Sequence, residues 1–309
     1  MSDEEFFDLE EGGGYLQEEI HHLSASKIAD QFWCEMQTHL KLKYGMEPTE
    51  EMIAGSLVHS QLEEELAPVI EIEVITKEDH ILSYLLQQYT KLSMLVKQGI
   101  TRELPVIGLI GGFTCLGVID QVELEEAQGD KNPIQYTVIS DYKTRNSRRA
   151  PSFVQKRRNR VQLQIYWHLL QGLINGDYTS QLFQEYFEMD EAVQPSKDFL
   201  KQLPEELQLL FQEISPEQLL NRVFNLFTQL PSLSPELRAI YLHREDRQVV
   251  HIDRSFFHLE SFKIDMEWAI DYWKGERMAN DCPQQWMCRY CQFTDECPYF
   301  LSRYLRDEE

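Results

Sequence analysis

The sequence predicts a mixed α/β fold, a small mixed sheet flanked by helices. Three observations carry that prediction. Residues 104–110, 113–124 and 134–143 are rich in Val, Ile and Leu, and Gly111-Gly112 and Gly129-Asp130 punctuate them as turns, so they read as a meander of about three strands. Long stretches on both sides have helical patterning. Residues 238–254 then read as a further hairpin.

In chain order, residues 1–22 are rich in Asp and Glu and hold no Lys or Arg, as a solvated acidic tail would. Ser24 or Ser26 caps a helix running to about Tyr44, with Gly45 as its stop. Pro48 starts a second helix that ends before Pro68. Residues 69–76, VIEIEVIT, alternate apolar and polar and predict a strand; a long helix follows at about 78–99. Beyond the meander come a helix at 153–173, a mostly helical stretch at 178–230, the hairpin, and a helix at 256–274. No linker interrupts this order. The expectation is one domain over residues 23–309, with a helical insertion at about 178–230 and a cysteine cluster at 282–297.

The net charge of −23 argues against a polyanionic partner, but its distribution reverses the inference. Within residues 141–160, Lys143, Arg145, Arg148, Arg149, Lys156, Arg157, Arg158 and Arg160 face one acid, Asp141. No run approaches the roughly 20 apolar residues that span a bilayer, so no membrane partner is expected. The acidic start lacks the basic residues of secretory and mitochondrial leaders. An intracellular protein follows, in nucleus or cytoplasm rather than mitochondrion. There is no G-x4-G-K-[ST] phosphate cradle, so ATP-driven unwinding is excluded.

Asp120 closes the apolar run LGVID, and Asp141 closes TVISD with Lys143 two residues on. On a strand, residues i and i+2 share a face, so Asp141 and Lys143 project together. A hairpin-like return brings Asp120 alongside. Two carboxylates so placed suit a hard cation such as Mg²⁺ or Mn²⁺. A cation there polarises a phosphate oxygen, and the lysine stabilises developing charge. His59 shares the apolar side of its helix with Leu62 and Leu66. Gln162 and Tyr166, at i and i+4, stand one above the other on a helix overlapping the basic stripe.

Of the six cysteines, Cys282, Cys288, Cys291 and Cys297 crowd into sixteen residues, a spacing that favours a metal centre over disulfides in a reducing compartment. Cys288-x2-Cys291-x5-Cys297 leaves a centre one thiolate short. Cys34 and Cys282 compete for that place, and spacing does not separate zinc from iron–sulfur. Cys115, on an apolar run, reads as a buried small hydrophobe.

The order His59, Asp120, Asp141-x-Lys143, Gln162-x3-Tyr166 resembles the nuclease domain shared by RecB, AddB and the CRISPR-associated adaptation nucleases. The stretch RELPVIGLIGGFTCLGVIDQVEL, the DYKTR at 141–145 and the late cysteines most resemble the eukaryotic exonuclease V family, over about residues 24–303. The resemblance implies a PD-(D/E)xK restriction-endonuclease-like core and a metal-dependent exodeoxyribonuclease acting on single-stranded DNA in repair or replication. It makes Asp120, Asp141 and His59 metal ligands with the Tyr142 carbonyl as a fourth. Lys143 becomes the catalytic lysine, Gln162 and Tyr166 the family's Q-x3-Y, and Glu103 a weaker candidate for the same pocket. Arg145 meets the DNA backbone with the rest of the stripe, while Tyr142 and Trp167 are candidates for stacking on bases. Cys34 rather than Cys282 then joins Cys288, Cys291 and Cys297 around a [4Fe–4S] cluster that staples the two ends of a monomer. A single-strand-binding protein or helicase is the expected partner. The competing readings are a CRISPR-type nuclease trimming DNA ends for a larger complex and a DNA-binding scaffold without catalysis.

Overall fold

The computed structural model describes residues 22–67, 72–126, 134–189 and 193–304. The expected acidic tail apart from His22, and the Gly129-Asp130 turn, lie outside them. Six strands form one mixed sheet: β1 (His22–Ser24), β2 (Ile100–Ile110), β3 (Phe113–Glu126), β4 (Gln135–Arg145), β5 (Leu233–His243) and β6 (Val249–Phe256). β2 turns into β3 through Gly111 and Gly112, whose φ of 59° and 95° suits residues without a Cβ. β2 lies antiparallel along one edge of β3. On the other edge, β1 runs parallel to Thr114–Leu116 and β4 antiparallel to Gln121–Glu126. β5 adds in parallel to β4, and β6 in antiparallel to β5.

The helices are α1 (Ala25–Tyr44), α2 (Glu50–Glu64), α3 (Lys77–Gln98), α4 (Phe153–Asn175), α5 (Ser180–Tyr186), α6 (Lys197–Gln202), α7 (Glu205–Glu213), α8 (Pro216–Thr228), α9 (Leu259–Trp273) and α10 (Pro298–Tyr304). A short 3-10 helix covers Gln285–Tyr290. Ser24 caps α1 by accepting from the Lys27 amide, and Gly45 ends it. Thr49 caps α2. Ser152 with Gln155, and Ser215 with Gln218, form reciprocal capping boxes for α4 and α8. The parallel step from β4 to β5 needs a crossover, and α4 to α8 supply it.

The main core gathers Leu82 and Leu85 of α3, Ile107 and Leu116 of the β2–β3 hairpin, Leu163 and Leu169 of α4, and Phe227 of α8. α4 lies across β2, β3, β4 and β5, with α1 beside it. On the opposite face of β4 and β5, Val58 and Leu62 of α2 cover Tyr142, Ile240 and Leu242 in a separate small cluster. α2 is therefore held by a narrow contact, and its Ile53 and Leu57 point to solvent.

One expected element is different. The described part of the 69–76 strand, residues 72–76, has no regular structure. Among the described residues, no strand lies there to pair with it. The Gln202 side chain takes that place, accepting from the Glu73 amide at 2.7 Å and donating to its carbonyl at 3.2 Å.

Candidate metal centre and active-site groove

The β3–β4 ladder ends at the pair Gln121 and Ser140. The next residues on the two strands are Asp120 and Asp141. The Tyr142 amide donates to Asp120 Oδ2 at 2.5 Å, so a carboxylate takes the place of the next ladder acceptor. Both aspartates sit where the ladder opens, within longer strands: β3 continues to Glu126 and β4 to Arg145. Lys143, on the same face as Asp141, places Nζ 2.9 Å from Asp141 Oδ1.

α2 lowers His59 onto this opening. Its Nε2 lies 3.1 Å from the Tyr142 carbonyl oxygen and its Nδ1 3.2 Å from Glu103 Oε1, with Asp120 Oδ2 at 3.8 Å. Glu103 reaches the group because its backbone adopts φ 52°, left-handed and strained for a residue with a side chain. His59, Glu103 and Asp120 each offer a ligand atom within 4.8 Å of the others, and among the described residues they are the one group of His, Cys, Asp or Glu that closes so tightly.

The electrostatics show a site short of positive charge. The Asp120 carboxylate raises His59 to about 9, so at neutral pH the imidazole is charged and donates from both nitrogens. Burial raises Asp120 and pushes Asp141 up to about 7. Burial opposes the Lys143 charge, but Asp141 and Asp120 outweigh it and hold the amine above its usual range. The Asp141–Lys143 pair is thus ionised above neutrality. Asp141 Oδ2 and Gln162 Oε1 are buried and accept no hydrogen bond among the described residues. Carboxylates and a main-chain carbonyl converge here with an imidazole that would give up a proton to ligate, a donor set that fits a hard divalent cation.

Two cavities of about 530 Å³ each share Glu51, Met52, Lys143, Thr144 and Arg158, and together they form one groove past the first turn of α2. One half holds His59, Glu103, Asp120, Gln162 and Tyr166. The other holds Trp33, Lys41, Arg145 and Arg244. Gln162 Nε2 donates to Tyr166 Oη at 2.7 Å, and both side chains are buried. Gly117 of β3 seats that ring, since a Cβ there would meet Tyr166 at 2.6 Å.

The structure divides the basic stripe. Arg145 and Arg158 line the groove; Arg158 is held by Asp30 at 2.6 Å. Arg160 forms a two-pronged pair with Asp253, and Lys156 lies 3.5 Å from the same carboxylate. Arg157 pairs with Asp265, Arg148 with Asp246, and Arg149 is exposed. Helical residues step about 100° apart, so consecutive cations of α4 fan to different neighbours. Trp167 stacks on Phe257 with centroids 3.8 Å apart and donates to the Ser234 carbonyl, and it is not part of the groove lining. The Tyr142 ring faces the Arg102 guanidinium, and its hydroxyl bonds Gln121. Trp33, in the stretch FWCEMQ, also lines the groove, together with Tyr142, Tyr166 and Tyr241.

A third, much smaller cavity, about 20 Å³, is lined by Cys34, Cys282, Cys288, Cys291 and Cys297. Cys34 interrupts α1 with φ −156° and ψ 106°. Gln37 Nε2 donates to Cys291 Sγ at 3.6 Å, and Cys282 Sγ lies 3.4 Å from Cys288 Sγ. Burial pushes the Cys34 and Cys282 thiols up to about 12, and neighbouring cysteines add to the shift. A bound cation would reverse it. Five thiols around one cavity fit a thiolate-held metal group. Cys115 is buried in the main core.

A family model described as "Exonuclease V - a 5′ deoxyribonuclease" matches residues 15–135, 126–218 and 203–299. The zebrafish (Danio rerio) protein named Exonuclease V is 26% identical over 295 residues, 92% of this chain and 71% of that one. A crystal structure of a candidate exonuclease from Eubacterium rectale superposes with a TM-score of 0.40 at 12% identity, over 94% of this chain and 92% of its own. Among the described residues, no helix is long and apolar enough to cross a membrane.

Proposed function

Given that the chain belongs to the exonuclease V family and is an exodeoxyribonuclease, we propose that it hydrolyses single-stranded DNA from a free end in repair or replication, through a PD-(D/E)xK site. The observation that carries this reading is the meeting of His59, Glu103 and Asp120 beside the Asp141–Lys143 pair, in a groove lined by Arg145 and Arg158.

Asp120, Asp141, His59, Glu103 and the Tyr142 carbonyl would hold Mg²⁺ or Mn²⁺. When bound, that ion polarises the scissile phosphate and acidifies water. Lys143, charged and beside Asp141, stabilises the negative charge that builds at phosphorus or orients the attacking water. Gln162 keeps an unused acceptor and, with Tyr166, orients the strand. Arg145 and Arg158 bind its backbone; the other stripe residues, Arg148, Arg149, Lys156, Arg157 and Arg160, contribute to the field from around α4. Cys34, Cys288, Cys291 and Cys297 hold a [4Fe–4S] cluster, with Cys282 in reserve. Thiolates on one zinc ion at about 2.3 Å would sit about 3.8 Å apart. Here no three sulfurs among the described residues gather within the 4.8 Å seen at His59, which supports a larger inorganic core. One nuclease domain over residues 23–309 accommodates all of this.

The experiment is hydrolysis of end-labelled linear and circular single strands with Mg²⁺, each end blocked in turn, and Asp141→Ala as control. Release of short products from linear strands only, abolished by a 5′ block, supports the proposal. Cleavage of the circle, or undiminished release by Asp141→Ala, refutes it.

A further inference from the structure

Trp33 lines both the groove and the cysteine cavity. Its ring meets Trp286 edge-on, with centroids 5.9 Å apart at 78°. Trp286 meets Tyr290 in the same manner, at 6.3 Å and 76°. Trp286 is 38% exposed and Tyr290 81%, and both stand on the 3-10 helix that carries Cys288. Three large rings thus run in a row from the mouth of the groove to open surface. In each edge-on pair the edge of one ring covers a single face of the other, so the contact fixes both rings and leaves the remaining faces clear of that partner. Exposing such rings costs hydration free energy that core packing does not recover.

We infer that Trp33, Trp286 and Tyr290 form a stacking path for unpaired bases, continuing the groove across the cysteine-bearing segment. The inference rests on the single-strand reading and adds to it where the strand runs. A nucleic-acid strand is the occupant favoured by continuity. The groove beginning at Trp33 is lined by Lys41, Arg145, Arg158 and Arg244, cations suited to phosphates, and exposed Arg289 adjoins Tyr290. Aromatic faces beside a cationic groove are the sequence-tolerant means of holding single strands. The row also gives the cysteine segment a role in substrate binding, because the helix that presents Trp286 and Tyr290 is the one anchored through Cys288.

The test uses the full chain with Trp286→Ala, Tyr290→Ala and Tyr290→Phe, and an oligothymidine strand either intact or carrying a short abasic stretch placed at successive positions. Each alanine variant should raise KM about five- to tenfold with kcat within about twofold, and Tyr290→Phe should stay near wild type. One abasic position should weaken wild type to a similar degree and erase its advantage over Trp286→Ala. Unchanged melting temperature and visible absorbance would exclude a folding or cluster defect. The stacking path is overturned if the alanine variants bind intact strands like wild type, if Tyr290→Phe fails as badly as alanine, or if no abasic position erases the difference. Wild type preferring duplex over single strand would instead overturn the single-strand reading, and the path with it.

Discussion

His59 Nε2 lies 3.1 Å from the main-chain carbonyl of Tyr142, 83 residues further along the chain. That contact ties α2 to the strand bearing Asp141 and Lys143. Elsewhere α2 is held by Val58 and Leu62 and by ion pairs such as Glu65 with Arg102 and with Arg247. The seating of α2 on the sheet is therefore what brings His59 into the candidate metal site.

Lys143→Ala removes the cation that pairs with the fully buried Asp141 carboxylate. It should lower kcat by about 10²–10³. It should also cost about 3–5 kcal/mol of stability above neutral pH, where Asp141 is charged. Denaturant melts should show a smaller loss near pH 6, because Asp141, pushed up to about 7, is protonated there.

Metal-free protein should lose stability as pH rises. Asp141 gives up its proton at 3.8 when unfolded but at about 7 in the fold, so folding takes up a proton between those values and alkali opposes it. His59 titrates at 6.5 unfolded and about 9 folded; its contribution is full below 6.5 and is lost through 9. Metal favours the deprotonated forms of both. Thermal melts with Mg²⁺ and with chelator should diverge as pH rises; a constant gap would contradict the ligand assignment.

Glu103→Gln should leave the fold intact and weaken metal binding about 10- to 100-fold, as loss of an orienting or ligating carboxylate does. Glu103→Gly should lose less stability than Glu103→Ala by about 1 kcal/mol, since glycine tolerates φ 52°. Mg²⁺ titration of activity and melts of the three variants check both statements.

Glu35 is buried and accepts from Arg277 twice at 2.6 Å and from the Asn280 amide at 2.7 Å. Arg277→Ala should cost about 3–5 kcal/mol by stranding that carboxylate. Adding Glu35→Leu should recover part of the loss, measurable as a coupling in a double-mutant cycle.

Cys34→Ala should abolish the brown absorbance expected of the proposed [4Fe–4S] cluster, and Cys282→Ala should retain it. Iron per chain after anaerobic purification reads the outcome, and the reverse pattern would make Cys282 the fourth ligand.

Much of the sheet was legible because β2, β3 and β4 are apolar runs cut by Gly111-Gly112, and Ser24 and Gly45 mark α1 by chemistry that acts locally. Residues 72–76 of the expected 69–76 strand are irregular because alternation tells which residues suit a sheet, whereas pairing needs a partner strand. That Asp120 and Asp141 flank an opening in the ladder follows from register, which the sequence states only as spacing. Glu103 could be noticed in RELP, but nothing local announces a left-handed glutamate. The basic stripe looked like one surface because a sequence is linear; its members split between the groove and Asp253, Asp265 and Asp246 once wound on a helix and its flanking loop.

The contacts of Glu35 and Gln37 with Arg277, Asn280 and Cys291 join positions 242, 245 and 254 residues apart. α1 supplies Asp30, Trp33, Gln37 and Lys41 to the groove, so one wall of the groove is buttressed from behind by a stretch far away in the chain. Disturbing that distant stretch should therefore loosen the wall while leaving both aspartates on their strands.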